Sequence, residues 1–176
     1  PLYTRRNTLP GDDVQADMYL ATVDFLESRG YRQYEISNFA KPGRESRHNL
    51  KYWTLAEYAG FGPGAHSDFR GIRSAWERDL EAFLRRSPRL SESQAMTSKN
   101  REAEWLMLHL RLVQGLNPSD YENRFHHPFS VFLPFLRLCE AAGYARLKAG
   151  CWRLTPQGFL VSNQIIGTLL DHIQEE

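Results

Sequence analysis

A chain of 176 residues with 41% hydrophobic side chains and four Trp has enough apolar material for one real core, which points to one domain or a little more. Its net charge is +1, split almost evenly: residues 1–90 hold 14 Lys and Arg against 12 Asp and Glu, and residues 91–176 hold 8 against 9. Neither part has the basic excess of a phosphate-backbone binder, no apolar run reaches the ~18 residues of a membrane span, and two cysteines are too few for a disulfide framework, so a cytoplasmic location is expected.

Asp12 or Asp13 is placed to cap a helix over 13–28, where Val14, Met18, Ala21, Thr22, Phe25 and Leu26 keep helical spacing and Gly30 supplies the stop. Residues 34–39 are short and β-rich and read as a strand, with Tyr34 and Ile36 inward and Glu35 and Ser37 on the other face. Helix then strand, joined by a few residues, is the unit of an α/β barrel or parallel sheet, whose strands need neighbours on both faces. Pro42-Gly43 marks a loop, and residues 44–57 are irregular or hold a short helix. A glycine-rich turn spans residues 60–64, Ser74-Ala75-Trp76 reads as a last strand, and a helix follows over 77–86. Residues 87–98 are polar and read as a connector carrying a domain boundary.

Beyond it the spacing predicts helices near 98–113, 117–125 and 129–142, the last stopped by Gly143. Short strands near 144–148 and 151–154 flank a Lys148-Ala149-Gly150 turn. Thr155 then caps a closing helix with Pro156 in its first position and Phe159, Leu160, Ile166, Leu169, Leu170 and Ile173 on the buried face. The fold class expected is α/β plus mainly α, ending in a winged-helix-like module over 98–176.

On a helix, His48 and Tyr52 share one face with Trp53 beside them. Imidazole is a standard axial ligand of haem iron and flat rings suit a porphyrin face; equally, His48 and Asn49 serve as loop-bonding residues while Tyr52 and Trp53 fill the core. Gly60, Gly62 and Gly64 give G-x-G-x-G, which permits close backbone approach to a ligand or a tight turn held by Pro63. It matches neither the phosphate loop nor the dinucleotide fingerprint, and His66 and Ser67 complete no catalytic triad. Glu35 reads as a barrel-lining or a solvated carboxylate. His126-His127 before Pro128 reads as a capping or solvated pair, and Cys139 as a buried free thiol.

Four ordered motifs, Tyr34-Glu35-Ile36-Ser37-Asn38-Phe39-Ala40, His48-Asn49-x-x-Tyr52-Trp53, Gly60-Phe61-Gly62-Pro63-Gly64-Ala65-His66-Ser67 and Leu154-Thr155-Pro156-x-Gly158-x-x-x-Ser162-Asn163, give the chain its family likeness. It resembles the oxygen-independent coproporphyrinogen III oxidase-like proteins of the radical-SAM superfamily, and His-Asn-x-x-Tyr-Trp points to their haem-chaperone branch. The resemblance covers essentially the whole chain but only the C-terminal part of the family's length. It therefore implies a C-terminal portion, with residues 1–88 as the last elements of a radical-SAM barrel plus the glycine-rich loop, and residues 98–176 as a domain covering the barrel mouth.

The cluster-binding loop C-x-x-x-C-x-x-C has no counterpart here, so the [4Fe–4S] cluster and S-adenosylmethionine are expected only in a full-length protein and this portion alone is expected to be inactive. The resemblance further implies haem or porphyrin as partner, with His48 as the metal ligand and Asn49, Tyr52, Trp53, Glu35, Asn38, Gly62, Gly64 and His66 near the cofactor. An N-terminal barrel portion is a further expected partner, as is a second copy pairing through an open strand edge; nucleic acid is not expected. Two alternatives stay open: the coproporphyrinogen III dehydrogenase branch, and a winged-helix module for nucleic acid or protein.

Overall fold

The computed structural model describes residues 9–173. Helix α1 (Asp12–Ser28) begins with Asp12 and Asp13 in its first turn, where carboxylates meet the positive end of the helix. It ends as Gly30, at φ 80°, and Tyr31 donate back to the carbonyls of Glu27 and Leu26. The predicted apolar face is present but uncovered: Val23 alone is buried, while Val14, Met18 and Phe25 stay exposed.

The strand expected over 34–39 is instead a hairpin. Strands β1 (Arg32–Glu35) and β2 (Asn38–Ala40) pair antiparallel, with Arg32 opposite Ala40 and Glu35 opposite Asn38. The turn has no Gly or Pro to announce it; it is held by Ser37 N–H donating to Glu35 Oε2 at 3.1 Å. The free edge of β1 bonds across to later chain, Ile36 N–H to Arg111 O at 2.9 Å and Val113 N–H to Tyr34 O at 3.1 Å. A register irregularity between Gln33 and Glu35 accompanies burial of both, with Tyr34 and Ile36 half-buried, the reverse of the alternation read from sequence.

Ser46 Oγ accepts from Asn49 N–H at 3.2 Å and so starts α2 (Arg47–Trp53), the short helix read within 44–57. Strands β3 (His66–Phe69), β4 (Ile72–Trp76) and β5 (Leu90–Ala95) form one antiparallel sheet in that order. Helix α3 (Leu80–Leu84), capped by Asp79, links the last two. Much of the predicted connector is therefore a strand, and Trp76 does not end the sheet. All six β5 residues are exposed, so no inside-outside alternation marked it in the sequence.

The second part follows the predicted order of three helical segments, hairpin and closing helix. Helices α4 (Ser98–His109) and α5 (Pro118–Phe125) are capped by Thr97 and Asn117, and a 3₁₀ turn (Phe129–Phe132) leads into α6 (Leu133–Ala141). Strands β6 (Ala145–Lys148) and β7 (Cys151–Leu154) turn through Ala149 and Gly150 at φ 51° and 76°. The single closing helix predicted after Thr155 is two, α7 (Pro156–Leu160) and α8 (Ser162–Leu170), parted at Val161. Gly158 seats α7 on the chain entering β6, since a Cβ there would lie 1.9 Å from the Tyr144 carbonyl oxygen.

The contiguous core lies entirely in this second part, around Trp105, Tyr121, Phe132, Leu136, Trp152 and Leu169. Burying each such side chain contributes about 1.5–3 kcal/mol. Before residue 98, Val23, Ala40 and Ala75 are the buried apolar residues among those described. What fastens the sheet to α4 is charge. Asp68 accepts from Arg101 Nη1 at 2.6 Å and from Arg73 Nη2 at 2.7 Å, and Arg73 also donates to Glu104 at 3.0 Å.

Candidate functional site

The rings of His48, Tyr52 and Tyr58 meet one another on α2 and the loop after it. One helical turn apart, His48 and Tyr52 meet with Tyr52 Oη 3.3 Å from His48 Nε2 and their rings edge-on, centroids 5.1 Å apart at 78°. Tyr52 in turn meets the edge of Tyr58 at 4.7 Å and 79°. Tyr58 is fixed from below, its N–H donating to Asp68 O and its carbonyl accepting from Asp68 N–H, both at 2.9 Å. Partial burial raises the Tyr58 phenol above its ordinary pKa, and neighbouring Arg73 pulls it part of the way back. His48 and Tyr52 are exposed, whereas Asn49 and Trp53 are half-buried. The exposed cations Lys41, Arg44, Arg47 and Lys51 lie on and before α2, with Glu45 the one carboxylate in that stretch.

The glycine-rich loop is drawn tight onto β3. A Cβ on Gly60 would sit 2.1 Å from the His66 carbonyl oxygen, and Gly60 N–H donates to Ser67 Oγ at 3.0 Å. Gly62 and Gly64 hold φ 107° and 71°, and the Arg78 side chain occupies the place of a Gly64 Cβ at 2.8 Å. Both are half-buried. Exposed His66 faces Glu92 on β5 at 3.5 Å. Thus His48, Tyr52 and the loop from Gly60 to His66 are linked through Tyr58 and β3. Sequence reasoning missed Tyr58, Arg78 and Glu92, since each joins the site through tertiary contacts: a ring contact to Tyr52, a side chain against Gly64 and pairing across the sheet.

Glu35 and Asn38 lie elsewhere, opposite each other across the β1–β2 hairpin, Asn38 exposed and Glu35 with no accessible surface. Among the described residues no hydrogen bond or ring contact joins either to His48, Tyr52 or His66. Glu35 Oε2 takes the Ser37 N–H, and Oε1 is buried without a partner. The neighbouring polar groups serve the hairpin: Gln33 Nε2 donates to Tyr19 Oη at 2.7 Å and to Ile36 O at 3.0 Å.

His126 is the left-handed cap that ends α5, at φ 60°. Its neighbour His127 was not legible as a partner of buried Glu102, whose carboxylate lies 3.2 Å from His127 Nδ1 and also takes the Tyr121 hydroxyl. Among the described residues no three His, Cys, Asp or Glu side chains gather to hold a metal ion. An iron–sulfur cluster does not fit: Cys139 and Cys151 are both buried, and burial pushes the Cys139 thiol away from the thiolate a cluster needs. A haem, which asks one imidazole of the protein and flat apolar surface, is compatible with the exposed His48 and its aromatic neighbours.

Residues 96–161 match the family model described as the HemN C-terminal domain. Heme chaperone HemW of Bacillus subtilis is 29% identical over 170 residues, covering 94% of this chain and 45% of that protein. The Escherichia coli heme chaperone HemW is 30% identical over 184 residues, covering 95% and 45%. Among solved structures, Escherichia coli coproporphyrinogen III oxidase (HemN), described as a radical SAM enzyme, shares the fold with a TM-score of 0.68 at 16% identity, over 96% of this chain and 43% of that one. The chain spans about half the length of the curated relatives it matches. No helix among the described residues is long and apolar enough to cross a membrane.

Proposed function

Because this chain belongs to the oxygen-independent coproporphyrinogen III oxidase-like family, beside its HemW-type heme chaperones, we propose that it binds haem on α2 and the glycine-rich loop, with His48 meeting the iron. The observation that carries the reading is the exposed His48–Tyr52 pair resting on half-buried Tyr58: an accessible imidazole whose ring is oriented by a neighbouring hydroxyl, beside aromatic surface. Haem iron takes one axial ligand from such a histidine. Tyr52 steadies the ring, half-buried Asn49 and Trp53 hold the helix onto the body, Gly62 and Gly64 let backbone approach a flat ligand, and His66 stands at the loop's end. Lys41, Arg44, Arg47 and Lys51 suit a tetrapyrrole's carboxylates. Asn38 and buried Glu35 act in this reading through the hairpin rather than by touching haem.

In a whole protein of the relatives' length, residues up to about 88 would complete a radical-SAM barrel and residues 98–173 would form a winged-helix-like lid, which the order of three helical segments, hairpin and closing helices supports. S-adenosylmethionine and a [4Fe–4S] cluster would be held by residues other than these, and the cytoplasmic role would be delivery of haem to other proteins. A second reading, oxidation of a carboxylated porphyrinogen, rests on the HemN fold likeness.

His48→Ala tests the proposal. Haem affinity should fall roughly tenfold or more, about 1.4 kcal/mol per tenfold, with the melting temperature unchanged because the imidazole is exposed. Equal affinity of mutant and wild type would leave His48 as a partner of Tyr52 only.

A further inference from the structure

Phe61 is 90% exposed, the most exposed of the chain's large apolar side chains among the described residues. An isolated apolar residue on a surface needs no explanation, but Phe61 is not on a slack loop. Gly60 before it is pressed against the His66 carbonyl, and Gly62 after it holds a φ of 107° that other residues avoid. Three backbone bonds close the loop beneath: Ala65 N–H to Gly62 O at 3.2 Å, Gly64 N–H to Glu77 O at 3.1 Å and Trp76 N–H to Ala65 O at 3.0 Å. The fold thus fixes the backbone on both sides of Phe61 and leaves its ring in water.

Phe61 follows Tyr58 by three residues, so their Cα atoms lie within about 11 Å, and Tyr58 is the ring against which Tyr52 of the His48 pair rests. We infer that Phe61 is a stacking residue for the face or edge of the flat, apolar tetrapyrrole ring whose iron His48 meets; this rests on the haem-binding reading above. Stacking asks only for an accessible apolar ring on a well-placed backbone and no chemistry of its own, so Phe61 contributes to retention of the ligand and not to its ligation. His48 and Phe61 then separate two tasks, naming the metal and gripping the macrocycle.

Haem titration of the purified chain, wild type and Phe61→Ala, Phe61→Trp, His48→Ala and Leu84→Ala, separates these parts, read by affinity, dissociation rate, the Soret spectrum and a melting curve. Phe61→Ala should weaken binding by about tenfold through faster dissociation, with the wild-type Soret position and melting temperature kept; Phe61→Trp should restore affinity. Leu84→Ala, which trims another exposed apolar side chain, should change nothing. His48→Ala should instead alter the Soret position. If Phe61→Ala binds as wild type does while His48→Ala does not, the stacking role is wrong and the haem site stands. If Phe61→Ala and Leu84→Ala lose affinity alike, the effect is general surface stickiness and the stacking role is again wrong. If wild type binds no haem, both readings fall.

Discussion

His48 and His109 each sit one helical turn from an aromatic residue, Tyr52 and Trp105, in opposite surroundings. His48 is exposed. His109 stacks on Trp105, centroids 4.2 Å apart at 22°, with Nδ1 held 3.0 Å from the Trp105 carbonyl. Burial drives the His109 pKa down to about 4 from its usual 6.5, against the upward pull of the Trp105 carbonyl. The unfolded chain therefore binds the proton first as pH drops, and stability should fall by about 2–3 kcal/mol between pH 6.5 and 4 and level off below. Denaturant melts of wild type and His109→Gln across that range check this: the mutant should lose the slope. The Asp68 carboxyl, held low chiefly by its hydrogen bonds from Arg101, acts in a separate window, its stabilisation disappearing only as pH falls below the ordinary carboxyl value of 3.8. The partners of Asp68 were not legible residue by residue. The i, i+4 pairing of His48 with Tyr52 was readable because a helix enforces it, whereas Asp68 meets Arg101 across 33 positions of sequence.

Elements were legible where a local chemical signal sets their ends. Acidic Asp12 and Asp13, Gly30, Pro118, Gly143 and Thr155 each mark a boundary the fold respects. The β1–β2 turn was hidden because it carries no Gly or Pro and is held instead by the buried Glu35 carboxylate taking the Ser37 N–H. Strand β5 was hidden because both its faces are exposed. The ion cluster that fastens β3 and β4 to α4 gives a test at this scale. Arg73→Ala removes one of the two cations from Asp68 and the closer one from Glu104; with Asp68 only 7% exposed, this should cost about 1–3 kcal/mol. Thermal melts at low and high salt check it, and a loss below 0.5 kcal/mol, roughly the worth of a surface pair, would mean that the cluster holds nothing together.

Across the whole molecule, apolar burial is lopsided. The contiguous core belongs to residues 105–173, while α1 presents Val14, Met18 and Phe25 to solvent and Leu80, Phe83 and Leu84 do the same on α3. That the strand read over 34–39 would fold back as a hairpin was not foreseen from the sequence. Without ligand, amide exchange should be slowest in α4, α6 and α8 and markedly faster over residues 12–60, because local opening there exposes little apolar surface. Uniform protection in a monomer would contradict that picture. The same method tests the haem site most directly, as exchange with and without haem on the purified chain. Haem should slow exchange over residues 47–53 and 60–67 and leave α4 to α8 as they were; protection that appears in α4 to α8 while residues 47–67 stay unchanged would place the ligand elsewhere and contradict the account.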